Sequence, residues 1–273
     1  MKSNAVIEKL FQMQHPQTGE TEGVDARDLF HTFEQFGVVI MERFFTDEEL
    51  AEVRGEMATF YRPYLDAFQA RAHADIHKGA AFHTDIIPWD PIEQGVESFK
   101  NLANHAKLKK VTDILLGKGF TAPGSLVMYS VPGGRGQAWH QDCPAEATGA
   151  FNLNRLIYTE DVAEEDGGIV FVPRSQEYGN IPEGGHQDPI AGEVAMNPAR
   201  GTVIFLHGHV YHRVKPNQGQ KPRVSVNFRA FPDGVDPQVN CIGVYRNGRV
   251  NFCDKPKQHD GTPTEMPVMT ARE

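Results

Sequence analysis

The 273-residue sequence predicts an α+β fold with a β-sandwich or barrel core. Helix-period apolar patterns are confined to positions 1–117. Beyond them, short apolar runs alternate with Gly, Pro, Asp and Asn breaks, the signature of a sheet-rich region. Residues 1–14 read as a short helix and His15–Gly23 as a polar break. Ala26–Phe36 carries Leu29, Phe30, Phe33 and Phe36 at three- and four-residue spacing, one apolar stripe, and Gly37 stops it. Val38–Met41 is a short apolar strand. Thr46 with Glu49 three residues on is a capping box, opening a helix with Leu50, Val53 and Met57 that runs to about Tyr61. A second helical stretch covers Tyr64–His77, the segment 80–97 is irregular, and one helix spans 98–117, ending at Gly117. Strands are expected over 125–131, 138–142, 152–162, 168–172, 201–206 and 223–231. The organisation is a single domain over 1–253, with a helical layer about 1–117, a β core about 118–253, and a polar tail at 254–273.

Composition excludes several classes. The 40% apolar and 23% charged fractions are those of an ordinary soluble protein. No run approaches the ~18 apolar residues that span a bilayer. Met1–His15 carries Lys2, Glu8 and Lys9, unlike a secretion signal. Three cysteines, Cys143, Cys241 and Cys253, make no disulfide framework and fit a reducing, cytoplasmic setting. The net charge of −9 argues against nucleic acid. A small-molecule substrate, with the protein a monomer or homodimer, is the expectation that remains.

The 12 histidines point to chemistry. On a strand, His-x-Asp places both side chains on one face, where imidazole and carboxylate converge on one metal. With a distant histidine this makes a two-His-one-carboxylate facial triad with open metal positions. Four such triplets occur, at His73/Asp75, His83/Asp85, His140/Asp142 and His186/Asp188. The first lies in a helical stretch, where i and i+2 do not share a face, although His73 and His77 do. The second lies in an irregular segment and the fourth in a Gly- and Pro-rich loop. His140-Gln141-Asp142 ends a strand that follows the turn cluster 132–136, with Trp139 on the opposite face. By chemistry alone the third ligand is open between His207, His209 and His212. Arg223–Arg229 alternates polar and apolar residues, so its polar face meets water or lines a polar pocket.

Three blocks together resemble the phytanoyl-CoA dioxygenase-like family of iron(II)/2-oxoglutarate-dependent oxygenases. They are Phe33–Ile40 leading into Phe45–Leu50; Trp139–Asp142 with Asp166–Gln176; and Gly201–His212 with Pro216-Asn217 and Arg223. The resemblance spans roughly 26–231. It implies a double-stranded β-helix (jelly-roll, cupin-like) core with N-terminal helices on one face. It also implies His140, Asp142 and His212 as iron ligands, Arg223 and Ser225 as grips on the distal carboxylate of 2-oxoglutarate, and Gln137 near the proximal carboxylate. Arg229 is the other candidate arginine. The family's Pro-Gly-Ser-His is replaced here by Pro173-Arg174-Ser175-Gln176, a change expected to alter the loop more than the metal site.

The implied cofactors are Fe(II), 2-oxoglutarate as cosubstrate, and O2. The implied reaction is hydroxylation of an unactivated C–H bond with release of succinate and CO2, and the retained Asp142 favours hydroxylation over halogenation. Trp89, Tyr129 and Asn154 are candidate substrate walls. Two other readings stay open at the sequence level: a jelly-roll metal-binding or sensor protein without turnover, and a cupin-type metalloenzyme that does not use 2-oxoglutarate.

Overall fold

The alternation of the strands sorts their side chains onto two faces, and the fold follows from where each face is buried. A computed structural model describes residues 25–61, 87–122, 124–147, 149–236, 238–239, 242–251 and 269–271. The expected helices at 1–14 and Tyr64–His77, and with them His73, His77 and His83, lie outside the described residues.

Helix α1 (Ala26–Phe36) is capped by Asp25 and closed by Gly37 at φ 68°. A Cβ at Gly37 would collide with Val210 and Gln176, so conformation and close approach both require glycine here. Helix α2 (Asp47–Glu56) opens on the expected capping box and gives way to a π-helical turn over Met57–Tyr61. The single helix expected over 98–117 is two, α3 (Glu97–Ala103) and α4 (Ala106–Leu116). The break is local chemistry. The Asn104 amide donates to the Lys100 carbonyl at 2.8 Å, and His105 Nδ1 accepts from the Lys107 backbone. Side chains that bond nearby backbone offer it an alternative to the helix ladder.

The strands are β1 (Val38–Met41), β2 (Ile87–Trp89), β3 (Leu126–Ser130), β4 (Gln137–Gln141), β5 (Leu153–Ile157), β6 (Ile169–Phe171), β7 (Val194–Met196), β8 (Val203–His207), β9 (His212–Val214), β10 (Arg223–Asn227), β11 (Ile242–Tyr245), β12 (Gly248–Asn251) and β13 (Met269–Ala271). They form two sheets, in the orders β1-β8-β5-β10-β3-β2 and β13-β12-β11-β4-β9-β6-β7. The pairings are antiparallel, and the sheets make the double-stranded β-helix. The expected strands over 152–162 and 223–231 are shorter, ending at Ile157 and Asn227. Strands β2, β7, β9, β11 and β12 were not expected. The β11–β12 hairpin did carry a signal, Asn247-Gly248 between two apolar stretches. In the polar tail, Met269–Ala271 pairs with β12 as an edge strand.

Three apolar clusters hold the layers. Helices α1–α4 pack through Leu29, Phe33, Leu50, Val53, Phe99 and Val111 onto the outward positions of the first sheet, including Val127, Leu153, Phe205 and Val226. The inner faces meet through Val38, Ile40, Ile204, Leu206, Ile169 and Phe171. On the outer face of the second sheet, Trp139, Val170, Tyr211 and Val244 are covered by Ile181 and Ile190. That covering loop is tied down by main-chain acceptors. Trp139 Nε1 donates to the Asp188 carbonyl, and Arg246 donates to the carbonyls of Pro182, Gly185 and Asp188. The His186/Asp188 triplet therefore belongs to a structural loop. Among the described residues no helix is long and apolar enough to cross a membrane.

The departure at Pro173-Arg174-Ser175-Gln176 has a backbone consequence. Arg174 adopts φ 72°, a left-handed conformation, at the position where the family motif has glycine. Ser175 keeps its place, accepting from the Tyr211 amide at 2.7 Å. A left-handed conformation costs a residue with Cβ ~1–2 kcal/mol, and glycine's extra chain entropy returns ~0.5–1. The Arg174–Glu177 ion pair is half exposed and contributes little. Arg174→Gly is expected to stabilise the fold by up to about 1 kcal/mol in denaturant unfolding. An unchanged or lower stability would show that the loop holds this conformation without strain.

Candidate metal centre

Strand β4 carries His140 and runs into Asp142, while β9 opens with His212. The two histidines are directly opposed across the β4–β9 pairing. All three side chains are buried, at 3%, 5% and 6% exposure for His140, Asp142 and His212. One ligand atom from each lies within 4.8 Å of the others. His212 Nε2 is 3.4 Å from Asp142 Oδ2, and His140 Nε2 is 3.9 Å from Asp142 Oδ1.

The backbone sets which nitrogen faces inward. His140 Nδ1 lies 2.8 Å from the Ala138 carbonyl, and His212 Nδ1 lies 2.9 Å from the Val210 carbonyl. A carbonyl can only accept, so each Nδ1 carries a proton toward the main chain, and each Nε2 is the ring nitrogen left facing Asp142. Burial first, then the facing His212, pushes His140 down to about 3, so it is a neutral ligand at neutral pH. Burial alone would raise the Asp142 pKa. Arg229, then His212 and His140, outweigh it and hold the carboxyl well below the usual range. Two imidazoles and one carboxylate form a borderline-to-hard donor set that suits ferrous iron. No ion is needed to explain the fold around them, and the donors converge before any metal is considered.

The other two histidines of the segment have different neighbours. His207 stacks on Phe151 at 3.9 Å between centroids, near Phe33. His209 takes its backbone hydrogen bond to His207 Nδ1. Burial pushes His207 down to about 3, with His209 adding to the effect. Unfolded, it would titrate near 6.5. Its contribution to stability is thus complete above about pH 6.5 and is lost as pH falls toward 3, with a slope of up to about 1.4 kcal/mol per pH unit. His207→Phe is expected to flatten acid unfolding across that window by about one proton, read from stability against pH. An unaltered slope would show that His207 charges freely in the folded state.

Gln137 reaches the site through a β-bulge. The β4–β9 register shifts between Gln137 and His140, so two residues three apart share a face. Gln137 Nε2 comes within 3.0 Å of His140 Nε2, and the Tyr245 ring stacks on the His140 imidazole at 5.1 Å.

The polar face of β10 turns inward, which settles the choice left by its alternation. Val224 and Val226 pack toward the helices. Arg223, Ser225 and Asn227 take the alternate, inner face of the strand, and all three are buried. Asn227 and Arg229 both reach Asn154, and Arg229 reaches Asp142, so this face leads to the metal site. Arg223 is paired in register with Ser130, and the Tyr158 hydroxyl bonds its guanidinium. Burial lowers the Arg223 pKa, with Tyr158 opposing. Among the described residues, Arg223 Nε and Nη2, Ser225 Oγ and Ser130 Oγ have no hydrogen-bond partner. Buried donors are normally satisfied, and a guanidinium left unpaired is costly. A carboxylate accepting in a fork from Arg223, with the hydroxyls beside it, fits this donor set.

The three expected substrate walls are placed differently. Tyr129 alternates with the inward positions of β3 and packs in the helical layer. Trp89 is paired opposite Val127. Asn154 does face inward, but it donates to Asp142 Oδ2 at 2.6 Å. Ser130, Tyr158, Asn227 and Tyr245 escaped sequence reading. Only Asn227 left a trace there, as another polar odd position of β10.

Comparison with known proteins agrees with this geometry. A model of the phytanoyl-CoA dioxygenase (PhyH) family matches residues 33–225. A methylphosphonate hydroxylase from Gimesia maris is 26% identical over 145 residues, covering 50% of this chain and 55% of that protein. The chain thus spans about half the length of this curated relative. The epimerase SnoN, solved in complex with Fe3+, alpha-ketoglutarate and nogalamycin RO, superposes with a TM-score of 0.55 at 18% identity, covering 91% of this chain and 96% of that one. HygX from Streptomyces hygroscopicus, solved with nickel and 2-oxoglutarate bound, gives a TM-score of 0.60 at 12% identity, over 77% and 88%. At these identities the structural likeness establishes the fold.

Proposed function

The chain belongs to the phytanoyl-CoA dioxygenase family of iron(II)/2-oxoglutarate-type oxygenases, and we propose that it hydroxylates an unactivated C–H bond of a small molecule. The observation that carries this reading is the buried His140/Asp142/His212 cluster beside the unpaired donors of Arg223 and Ser225. Bound together, iron, 2-oxoglutarate and O2 supply an oxidant through decarboxylation of 2-oxoglutarate to succinate and CO2, with one oxygen atom passing to the substrate.

The protein's part is positional. His140, Asp142 and His212 would hold the metal, and as three protein ligands they would leave positions for 2-oxoglutarate and O2. Arg223 and Ser225 grip the distal carboxylate of 2-oxoglutarate, and the fork of the guanidinium fixes its direction. Gln137 sits against the face of His140 Nε2, where it would meet the proximal carboxylate. The apolar cluster of Leu156, Ile169 and Phe171 packs between the sheets, and a strongly oxidising site would require such dry surroundings. The methylphosphonate hydroxylase among its relatives supports hydroxylation as the outcome.

The test is 2-oxoglutarate turnover, followed as succinate, with Fe(II) and a panel of small metabolites. Succinate rising with one metabolite, which gains a hydroxyl, is the expected result. Absence of succinate across the panel, with zinc held tightly, would favour a metal-binding protein without turnover.

A further inference from the structure

Asp142 lies one residue beyond the last residue of β4, so strand pairing does not fix its side chain. Two residues of the opposite sheet do. Arg229 Nη2 donates to Asp142 Oδ1 at 2.5 Å, and Asn154 Nδ2 donates to Asp142 Oδ2 at 2.6 Å. The two donors are locked to each other, since Arg229 Nε donates to Asn154 Oδ1 at 3.1 Å. Asn227 Nδ2 donates to the same oxygen at 2.7 Å. Each carboxylate oxygen thus has its own donor, and the donors have fixed partners. Both histidines, by contrast, are oriented from within their own sheet.

We propose that Arg229, acting with Asn154, is a positioning residue that locks the rotation of the Asp142 carboxylate and so sets the geometry at which it meets the metal. The inference rests on the reading of Asp142 as a ligand. Arginine suits the task because its planar fork can hold Oδ1 and the Asn154 carbonyl at once, which a lysine ammonium on a flexible stem does not reproduce. Outer contacts that orient a ligand typically matter ~10–100-fold in metal affinity or activity.

Electrostatics and positioning make opposite predictions. Arg229 is a positive charge beside a cation site, so charge alone says that Arg229→Met should bind a divalent metal more tightly. Positioning says that it should bind more weakly. The experiment is Co(II) binding to the full chain without 2-oxoglutarate, followed by the visible d–d absorption of the ion. The variants are Arg229→Met, Arg229→Lys and Asn154→Ala, with thermal unfolding of each as a control.

The expected result is ~10–100-fold weaker Co(II) binding in Arg229→Met, with an altered band shape that reports a changed coordination geometry. Arg229→Lys keeps the charge but should recover neither the affinity nor the band shape fully. Asn154→Ala should alter the band in the same sense. A folded Arg229→Met or Arg229→Lys with wild-type affinity and an unchanged spectrum overturns the proposal. So does tighter binding in Arg229→Met. Should Arg229→Met fail to fold, Arg229→Lys and Asn154→Ala decide by the same readouts. The ligand assignment fails separately, if His212→Ala binds Co(II) as the wild type does.

Discussion

His212→Ala abolishes the weak visible charge-transfer band that Fe(II) and 2-oxoglutarate give together without O2, while His209→Ala keeps it. This is the largest effect expected of any single change, because one of only three protein ligands is lost. The loss should exceed the ~10–100-fold that removal of an outer contact costs. The distinction rests on geometry. His212 Nε2 faces Asp142 Oδ2 at 3.4 Å, with its Nδ1 tied to Val210. His209, two residues past the end of β8, lies by the backbone of Pro144 and Ala150, away from the cluster. His207 is spent on stacking with Phe151. A band that survives in His212→Ala and disappears in His209→Ala would sink the assignment. His140→Ala should behave as His212→Ala does, since the two face one another at 4.0 Å between ring centroids.

Arg223→Leu raises the KM for 2-oxoglutarate steeply with much less change in folding. Truncating one partner of a buried, hydrogen-bonded charge pair costs ~2–5 kcal/mol, and each 1.4 kcal/mol is about tenfold. The expected rise is therefore tens- to thousands-fold. Ser225→Ala removes one neutral donor worth ~1 kcal/mol and should raise KM only about fivefold. Arg223→Lys keeps the charge without the fork and should fall between the two. Stability should change less than this, because among the described residues Arg223 Nε and Nη2 have no partner to lose and the contact given up is the one to Tyr158. Unaltered turnover and 2-oxoglutarate affinity in Arg223→Leu would turn the reading toward a metalloenzyme that does not use this cosubstrate.

Local features were legible because local chemistry decides them. The capping box at Thr46 and Glu49, the stop at Gly37 and the strand carrying His140 and Asp142 stand where periodicity placed them. Features that depend on competition between short-range options were not. Asn104 and His105 broke a helix that the apolar pattern continued across. Three-residue strands such as β7 and β9 are too short for an alternation to show, and their existence rests on the neighbours that pair with them. The surroundings of the expected substrate walls were not legible for a related reason. Tyr129 and Asn154 lie on strands as expected, but the face each presents depends on the register of β3 and β5 within the sheet.

By itself the sequence determined the fold class and singled out His140 and Asp142 as candidate ligands. Two-residue spacing along extended chain brings His140 and Asp142 toward one side, and Arg229 and Asn154 then hold the Asp142 carboxylate. Only the tertiary structure singled out His212 by contact geometry over His207 and His209, and separated the tasks of Arg223 and Arg229. Those choices depend on which strands pair and on how far the two sheets bring their inward faces together. The opposed register of β4 and β9 puts His212 across from His140, and the approach of β10 puts Arg229 on Asp142. No spacing along one chain specifies a distance between two sheets.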